Sequence, residues 1–360
     1  MSTAAPIKVL ICDDSALVRK MLRRTLESDP ELVVVGEATN PYEAKDLIPK
    51  TRPDVLTLDI EMPRMDGLTF LRVLMKKWPM PVVVFSTLST SGSQIAYKAL
   101  ELGAMEVLGK PQSGSRQFFQ LQAKITQIVK TLGRVGIRTN AQRRLASGGS
   151  TAPALTAQST WPAPRPGQLV LLGASTGGTE AIRSIMPHLP ANFPPMCIVQ
   201  HIPPVFSRTF AQHLNEITPL NVREATHGDR CEPGTVLVAP GDYHMVVLRD
   251  TRGYYVSLNQ AEPVWHQRPA VEILFRSALK LEPSKTIAGL LTGMGSDGGQ
   301  GLKALRDAGA RTFGQSEETC VVYGMPRVAE KLGACEKMVD LLQVPLYLQR
   351  LLAQPASVPA

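Results

Sequence analysis

Hydrophobic residues in the first third of the chain form five short continuous runs, separated by segments with helical periodicity. The runs are Ile7–Cys12, Leu32–Val35, Val55–Ile60, Val82–Phe85 and Met105–Leu108. Between them, Ala16–Glu27 and Leu68–Trp78 carry apolar residues at the spacing of one helix face. Short apolar strands that alternate with helices are typical of a parallel sheet covered by helices on both faces. This part of the chain is therefore predicted to be a (βα)5 domain of the α/β class.

A second α/β pattern occupies the C-terminal half. Its first elements are predicted to be strands and helices in alternation, at Gln168–Leu172, Thr179–Met186, Met196–Gln200 and Phe206–Ile217. Residues 222–260 carry turn signals between short β-like runs such as Thr235–Ala239 and Tyr254–Leu258, which favours antiparallel hairpins. Alternation resumes between Ala270 and Leu352. We expect a doubly wound α/β domain with a β-hairpin insertion.

Between the two patterns, residues 133–166 lack hydrophobic periodicity and are rich in Gly, Ser, Thr, Ala and Pro. This composition predicts a flexible linker between domains at 1–132 and 167–352, and the last residues, 353–360, are predicted to be a disordered tail. The linker holds five arginines and no acidic residue, and it accounts for much of the net charge of +8. Because the positive charge is concentrated there and not on a folded face, nucleic-acid binding is disfavoured.

Cysteine usage and hydropathy bear on location. The five cysteines are scattered without a C-x-x-C pair, which is typical of free thiols in a reducing cytoplasm. The N-terminus shows neither the basic nor the apolar region of a signal peptide. No apolar run approaches the ~20 residues of a membrane-spanning helix. We expect a cytoplasmic protein that does not span a membrane.

Polar residues in the first domain follow successive strands. Asp13 and Asp14 end the first strand, Asp59 the third, Ser86 the fourth and Lys110 the fifth. One such aspartate alone could merely cap a helix or turn. The carboxyl ends of parallel strands meet at one edge, however, and three carboxylates there would repel each other without a cation. They form a hard oxygen site suited to Mg²⁺, beside a lysine able to pair with a phosphoryl oxygen.

With the D-I-E-M-P-R-M-D-G stretch that begins at Asp59, residues 7–130 resemble a response-regulator receiver domain. The resemblance implies that Asp59 accepts a phosphoryl group. It implies that Mg²⁺ is held by Asp13, Asp14 and Asp59, with the backbone carbonyl of Glu61 as a further ligand.

The same resemblance implies that Ser86 hydrogen-bonds the phosphoryl group, that Lys110 pairs with it, and that the Lys110–Pro111 peptide is cis. In one respect the chain departs from the family pattern. Val107 stands three residues before the lysine, where many receivers have an aromatic residue. An aromatic rotamer switch at this position is therefore not expected.

The stretch Gly173–Gly178 (GASTGG) lies between a predicted strand and a predicted helix in the second domain. It fits the G-x-S-x-G pattern, in which small neighbours let the chain turn sharply and expose the hydroxyl of Ser175. The helix N-terminus behind the serine favours an oxyanion. A glycine-rich turn could equally cradle a phosphate, although the G-K-[ST] of a P-loop is missing. From this motif alone, both interpretations stay open.

A serine nucleophile needs a base to take its proton and an acid to orient that base. His201 ends one predicted strand, and Asp297 follows the strand Thr286–Leu291, so both can meet Ser175 at the sheet edge. Alone, His201 could simply bond to backbone, and Asp297 could cap a helix. Spacing alone does not choose His201 over the other five histidines, which are His188, His213, His227, His244 and His266. Three of them, His227, His244 and His266, are an alternative metal site, although their spacing matches no compact ligand pattern.

Across residues 168–350 the chain resembles the catalytic domain of protein-glutamate methylesterases of the CheB type. The stretches that carry the resemblance are GASTGGTEAIR, QHIPP, APGDYHM, RPAVEILF, LLTGMGSDG and CVVYGMPR. The resemblance implies that Ser175 is the nucleophile, His201 the base and Asp297 the orienting acid. The order Ser, His, Asp along the chain differs from the Ser, Asp, His order of α/β-hydrolases, so that fold is disfavoured.

The methylesterase resemblance also places Thr176 beside the site and the backbone N–H of Met294 near the oxyanion. It implies that the substrates are glutamate methyl esters, and glutamines to be deamidated, on the cytoplasmic helices of methyl-accepting chemoreceptors. A chemotaxis-type histidine kinase is the implied phosphodonor, and the esterase site needs no cofactor. Phosphorylation of Asp59 is then expected to regulate access to Ser175.

Two other functions compete with this one. A phosphorylation-dependent DNA-binding regulator would also begin with a receiver domain, but the second domain is electrically neutral and lacks a compact helix-turn-helix. The other alternative is an adaptor with an inactive esterase domain. The presence of Ser175, His201 and Asp297 favours an active enzyme.

Overall fold

The computed structural model describes residues 5–62, 65–86, 90–110, 122–134 and 161–354. The chain forms two compact units, 1–156 and 157–360. Most of the predicted linker and tail lies outside the described residues, so their bounds stay predictions. Helical structure continues through residue 134, and Trp161 packs edge-on against Phe193 with ring centroids 5.6 Å apart. The described helices include none with the length and apolar character that crossing a bilayer requires.

The first unit is a five-stranded parallel sheet with the strand order β2-β1-β3-β4-β5. Its strands are β1 (Ile7–Cys12), β2 (Leu32–Ala38), β3 (Val55–Asp59), β4 (Val82–Ser86) and β5 (Glu106–Gly109). Its helices are α1 (Ala16–Leu26), α2 (Pro41–Thr51), α3 (Gly67–Lys77), α4 (Thr90–Glu101) and α5 (residues 122–134). The predicted (βα)5 fold is confirmed, and every residue of β3 and β4 is buried, as their continuous apolar runs require.

Sequence order in this sheet reverses between β1 and β3, and ligands of such sheets bind outside the carboxyl ends of the strands at that point. Asp13 and Asp14 follow β1 there, and Asp59 is the last residue of β3. Ser15 begins α1, since its side chain accepts a hydrogen bond from the Val18 N–H at 3.4 Å. The fold thus brings the three aspartates to one edge.

The second unit is a seven-stranded parallel sheet with the order β14-β13-β12-β6-β7-β9-β8, joined by a two-stranded hairpin of β10 and β11. Its strands are β6 (Leu169–Ala174), β7 (Met196–Gln200), β8 (Asn221–Glu224), β9 (Thr235–Val238), β10 (His244–Asp250), β11 (Gly253–Asn259), β12 (Thr286–Leu290), β13 (Arg311–Gln315) and β14 (Lys337–Val339). Its α-helices are α6 (Gly178–Ile185), α7 (Phe206–Ile217), α8 (Val271–Ala278), α9 (Gly299–Asp307), α10 (Met325–Lys331) and α11 (Val344–Ala353). Short 3₁₀ helices lie at Met186–His188, Pro283–Lys285, Glu317–Thr319 and Leu341–Gln343.

The prediction for one strand of the β-hairpin insertion is wrong. Thr235–Ala239 was expected in an antiparallel hairpin, but β9 pairs in parallel with β7 and β8 inside the main sheet. All four residues of β9 are buried, which is the pattern of a strand covered on both faces. The second run, Tyr254–Leu258, lies in β11 and does form a hairpin with β10.

Strand order also reverses around β6, which lies between β12 and β7. The loops after these three strands therefore meet at one crevice. They carry Ser175, His201 and Asp297, respectively after β6, β7 and β12.

Candidate functional sites

Ser175 occupies a sharp turn between β6 and α6. Its N–H donates to the carbonyl of Thr292 at 3.0 Å, and its own carbonyl accepts from the Gly178 N–H at 2.7 Å. Gly177 has a φ of 77°, a conformation that favours glycine. A Cβ on Gly178 would lie 2.2 Å from Oε1 of Gln200 and 2.6 Å from Cβ of Ala174. The two glycines after Ser175 and Thr176 are therefore what lets the helix start directly behind the serine.

The strand register places His201 beside Ser175. Ala174 pairs with Gln200 across β6 and β7, and the His201 N–H donates to the Ala174 carbonyl at 3.1 Å. Ser175 and His201 are thus the next facing residues, at the roughly 5 Å spacing of neighbouring strands. Ser175 is half-buried and His201 is buried.

The His201 ring is joined to Asp297. Its Nε2 lies 2.7 Å from Oδ2 of Asp297, and both side chains are buried. Its Nδ1 is buried without a hydrogen-bond partner among the described residues, and the Ser175 hydroxyl makes no hydrogen bond to the ring. With Nε2–H donating to the carboxylate, Nδ1 is the nitrogen available to take a proton. Such contacts between nucleophile and base often tighten only when substrate binds.

The N-terminus of α8 holds the carboxylate of Asp297. Oδ2 accepts from the Val271 N–H at 2.7 Å, and Oδ1 accepts from the Glu272 N–H at 2.9 Å. Two backbone donors and the positive end of a helix dipole favour the ionised carboxylate in this buried position. The site therefore provides a fixed negative charge behind His201.

Buried polar side chains that the sequence did not reveal fix the loops around Ser175. The amide of Gln200 donates to the Ser175 carbonyl at 2.8 Å. The hydroxyl of Thr292 donates to the Thr176 carbonyl at 3.0 Å, and the Thr292 N–H donates to Oε1 of Gln315 at 2.8 Å. All four residues other than Ser175 are buried. A polar residue at the end of an apolar strand, such as Gln200 after MCIV, is the signal that could have identified them.

Of the two further predicted residues, Thr176 is buried behind Ser175 and Met294 is half-buried in the loop after β12. This loop is anchored by Gly293, whose carbonyl accepts from the N–H groups of Gly324 and Met325 at 3.1 and 2.8 Å. A Cβ on Gly293 would lie 2.7 Å from Cβ of Ser175, so the loop passes close to the nucleophile. The oxyanion role of Met294 stays a prediction.

The alternative histidine metal site is wrong for the described residues. Within them, the side chains that could share one metal ion in a group of three or more are Asp13, Asp14 and Asp59. His244 has a structural role instead, because its Nδ1 accepts from the Ala270 N–H at 3.2 Å and its Nε2 lies 3.1 Å from the Glu262 carbonyl.

In the first unit, one candidate ligand atom from each of Asp13, Asp14 and Asp59 lies within 4.8 Å of the others. Lys110 Nζ is 2.6 Å from Oδ2 of Asp59, whose Oδ1 accepts from the Glu61 N–H at 3.0 Å. Burial raises the pKa of Asp59 despite the hydrogen bond from Lys110. Burial and then the charge of Asp59 raise the pKa of Asp13 to about 6. The site thus has more negative charge than Lys110 neutralises.

This arrangement fits a divalent cation. Oδ1 of Asp13 accepts from the Ser15 N–H at 2.9 Å, whereas Oδ2 is buried without a hydrogen-bond partner among the described residues. Oxygen atoms of this kind are the ligands that Mg²⁺ prefers. The predicted ligand role of the Glu61 carbonyl stays a prediction.

The remaining predicted residues of this site lie on β4 and β5. Ser86 is fully buried at the end of β4, and its carbonyl accepts from the Lys110 N–H at 2.8 Å. Val107 is buried in β5. Pro111 lies outside the described residues, and so does the predicted cis peptide before it.

Comparison with known proteins identifies a family for each of the two units. The family model described as CheB methylesterase matches residues 170–348, and the model described as response regulator receiver domain matches residues 9–120. The match of the second unit to an esterase family favours the esterase over the DNA-binding alternative.

Curated relatives span nearly the whole chain. A protein-glutamate methylesterase/protein-glutamine glutaminase of Pseudomonas aeruginosa is 46% identical over 98% of this chain and 99% of its own. A protein of the same description from Anaeromyxobacter dehalogenans is 44% identical over 97% and 98%. The crystal structure of the Thermotoga maritima CheB methylesterase catalytic domain covers 52% of this chain and 100% of its own, at 36% identity and a TM-score of 0.51. The chain therefore belongs to the CheB methylesterase family, in the form in which a receiver domain precedes the methylesterase domain.

Proposed function

We propose that Ser175, His201 and Asp297 form a catalytic triad that hydrolyses glutamate methyl esters, and deamidates glutamines, on the cytoplasmic helices of chemoreceptors. The observation that carries this proposal is the 2.7 Å contact between His201 and Asp297, one strand away from Ser175. A buried carboxylate behind a histidine whose other nitrogen has no hydrogen-bond partner among the described residues is the arrangement that general-base catalysis needs.

The first half-reaction acylates the enzyme. The Ser175 hydroxyl oxygen bonds to the side-chain carbonyl carbon of the substrate, while its proton passes to Nδ1 of His201. The bond from that carbon to the methoxy oxygen then breaks, and methanol leaves with the proton from His201. A glutamine substrate loses ammonia in the same way.

Water completes the cycle. A water molecule attacks the acyl-enzyme carbonyl and gives a proton to Nδ1 of His201. The bond to Ser175 breaks, the serine oxygen takes this proton back, and the product glutamate ionises in solvent. The N–H of Met294 and the N-terminus of α6 would stabilise the oxyanion in both halves, and Asp297 would stabilise the imidazolium.

The receiver domain would regulate this activity. Asp59 would accept a phosphoryl group from a chemotaxis-type histidine kinase in the cytoplasm, with Ser86 and Lys110 contacting the group. Mg²⁺ held by Asp13, Asp14 and Asp59 would neutralise negative charge during the transfer. The charge excess at Asp13 and Asp59 supports this role.

Methanol release from methylated receptor helices tests the proposal. The wild type, Ser175→Ala and the matched control Ser184→Ala, on α6, would be compared with and without acetyl phosphate and Mg²⁺. We expect release by the wild type and Ser184→Ala, stimulation by phosphodonor, and none from Ser175→Ala. Release by Ser175→Ala at the wild-type rate contradicts the nucleophile assignment. No release from the wild type under either condition favours the inactive adaptor.

A further inference from the structure

Helices α8 and α9 are joined at their N-termini by reciprocal hydrogen bonds, in which a carboxylate near the start of each helix accepts from the first turn of the other. Asp297, two residues before α9, accepts from the Val271 and Glu272 N–H groups in the first turn of α8. In return, Oε2 of Glu272 accepts from the Gly301 N–H in the first turn of α9 at 2.9 Å. The two contacts run in opposite directions between the same pair of helices.

Neither helix is capped by its own N-cap residue. The N-cap of α8 is Ala270 and that of α9 is Gly298, and neither makes a side-chain capping hydrogen bond. The first N–H groups of a helix need acceptors from elsewhere when they are buried. The carboxylate of Asp297 supplies these acceptors for α8, and the carboxylate of Glu272 supplies one for α9. The start of each helix therefore depends on the other.

Glu272 occupies a site shaped for its carboxylate. It is 6% exposed, and its Oε1 accepts from Nε of Arg276 at 2.6 Å. A Cβ on Gly301 would lie 2.9 Å from Cβ of Phe275 and 3.3 Å from Oε2 of Glu272. The close approach of α8 and α9 at Gly301 is what brings the Gly301 N–H within reach.

The reciprocal hydrogen bonds between α8 and α9 include the carboxylate that binds His201. Oδ2 of Asp297 lies 2.7 Å from both Nε2 of His201 and the Val271 N–H. The direction in which Asp297 presents this oxygen to His201 is thus set by the first turn of α8. Glu272 ties that turn to α9, which begins two residues after Asp297.

We propose that Glu272 is a positioning residue for the esterase reaction, which acts by holding Asp297 in register with His201. The inference rests on the proposed triad. Glu272 contacts no reacting atom, so its loss should lower kcat while KM changes little. The property of Glu272 that this role requires is a hydrogen-bond acceptor on a side chain long enough to reach α9. Its charge is not required, because the contact that fixes α9 is a hydrogen bond from a neutral N–H.

The test compares substitutions at Glu272 in the full chain. Glu272→Gln keeps an acceptor of the same length, whereas Glu272→Asp keeps the charge but falls one methylene short, and Glu272→Leu removes the acceptor. Arg276→Ala, whose side chain is 53% exposed, is the control for loss of the ion pair alone. Methanol release gives kcat and KM. The low-field N–H proton resonance of the His201 ring reports its contact with Asp297.

We expect Glu272→Gln and Arg276→Ala to retain kcat within about threefold, as loss of one partly exposed ion pair has little effect. Glu272→Asp and Glu272→Leu should lose at least about tenfold in kcat, which corresponds to about 1.4 kcal/mol, with a shifted or broadened imidazole resonance. If Glu272→Leu does not fold, Glu272→Asp alone decides. Wild-type kcat and an unchanged resonance in Glu272→Asp would overturn the inference, as would equal losses in the Asp and Gln variants. An active Ser175→Ala variant, by contrast, contradicts the triad itself.

Discussion

His201 and Asp297 are separated by almost a hundred positions in the sequence, yet their Nε2 and Oδ2 atoms lie 2.7 Å apart in the folded domain. Both residues are buried, and two backbone N–H groups also bind the carboxylate. In this environment the negative charge of Asp297 is weakly screened by solvent, so it acts strongly on the neighbouring imidazole.

Replacing Asp297 with Asn should therefore lower kcat on methylated receptor helices by about 1,000-fold or more, since loss of the equivalent charge in serine proteases costs about 10,000-fold. The amide keeps only one acceptor oxygen for the two N–H groups at the start of α8. A loss of about 1–3 kcal/mol in stability is therefore also expected. Steady-state methanol release measures the effect, and thermal unfolding checks the fold.

The matched control for this change is Asp307→Asn. Asp307 is the last residue of α9, is exposed, and pairs with Lys303. Its substitution should leave kcat within about twofold, because exposed ion pairs contribute little. A kcat for Asp297→Asn within tenfold of the wild type would contradict the orienting role of Asp297.

The second prediction concerns Gly178, in the turn that carries Ser175. Its φ is ordinary, but a Cβ there would lie 2.6 Å from Cβ of Ala174 and 2.2 Å from Oε1 of Gln200. Gly178→Ala should destabilise the esterase domain by about 1–3 kcal/mol, the usual cost of overpacking. Displacement of Ser175 should also lower kcat more than tenfold, a result that methanol release and denaturant unfolding would measure.

Gly228→Ala is the matched control for this substitution. Gly228 has a φ of 89°, and no atom of the described residues lies within 4 Å of where its Cβ would be, so the substitution introduces only backbone strain. We expect a modest loss of stability and unchanged kcat. Equal effects of the two substitutions on kcat would show that crowding at Gly178 does not position Ser175.

The sequence predicts much of this architecture because its signals are local. The five strands of the receiver domain and the strand ends that carry Ser175, His201 and Asp297 follow from apolar runs and turn residues. The pairing of β9 could not be predicted with the same success, since a short apolar run does not specify which strand it pairs with.

The buried hydrogen-bond partners were not predictable for a related reason. Gln200, Thr292 and Glu272 act on residues from distant parts of the chain. A local pattern can mark such a residue, as the polar end of MCIVQ marks Gln200, but it does not identify the hydrogen-bond partner. Glu272 in RPAVEILF looks like an ordinary polar residue in the first turn of a helix. Only the three-dimensional approach of α8 to α9 shows that its carboxylate binds Gly301.

Two cysteines of the esterase domain give a pH-dependent prediction. Burial raises the pKa of both Cys320 and Cys335 from 9.0 to about 12. At pH 8 roughly a tenth of an ordinary thiol of pKa 9 is thiolate, against about one part in 10,000 at pKa 12. Iodoacetamide should therefore label Cys320 and Cys335 at least about a hundredfold more slowly in the folded protein than in urea, as followed by peptide mass spectrometry.

The sign of the linked stability change follows from the same shifts. Because the pKa of each thiol is higher in the folded state, the unfolded state loses its proton first as pH rises above about 9. The contribution of Cys320 and Cys335 to stability is thus complete below pH 9 and declines towards pH 12. A double variant with Cys320→Ser and Cys335→Ser should show a smaller decline in stability between pH 9 and pH 12. Labelling of the folded wild type at the urea rate would contradict the raised pKa of these two half-buried thiols.

In the receiver domain, relief of charge repulsion gives the last prediction. Burial and the charge of Asp59 raise the pKa of Asp13 to about 6. Without a cation, ionisation of Asp13 at pH 7 therefore costs the folded domain free energy. Asp13→Asn keeps the acceptor for the Ser15 N–H and should stabilise the metal-free domain by about 1–2 kcal/mol, or several degrees in Tm. Calorimetry of the full chain in EDTA measures this change in Tm. Asp46→Asn, at an exposed position, is the control and should leave Tm unchanged.

Adding Mg²⁺ should raise the Tm of the wild type and not that of Asp13→Asn, because only the wild type retains the full set of carboxylates. A lower Tm for Asp13→Asn in EDTA would contradict the charge repulsion at Asp13. An equal Mg²⁺ response in both proteins would show that Asp13 is not part of a cation site.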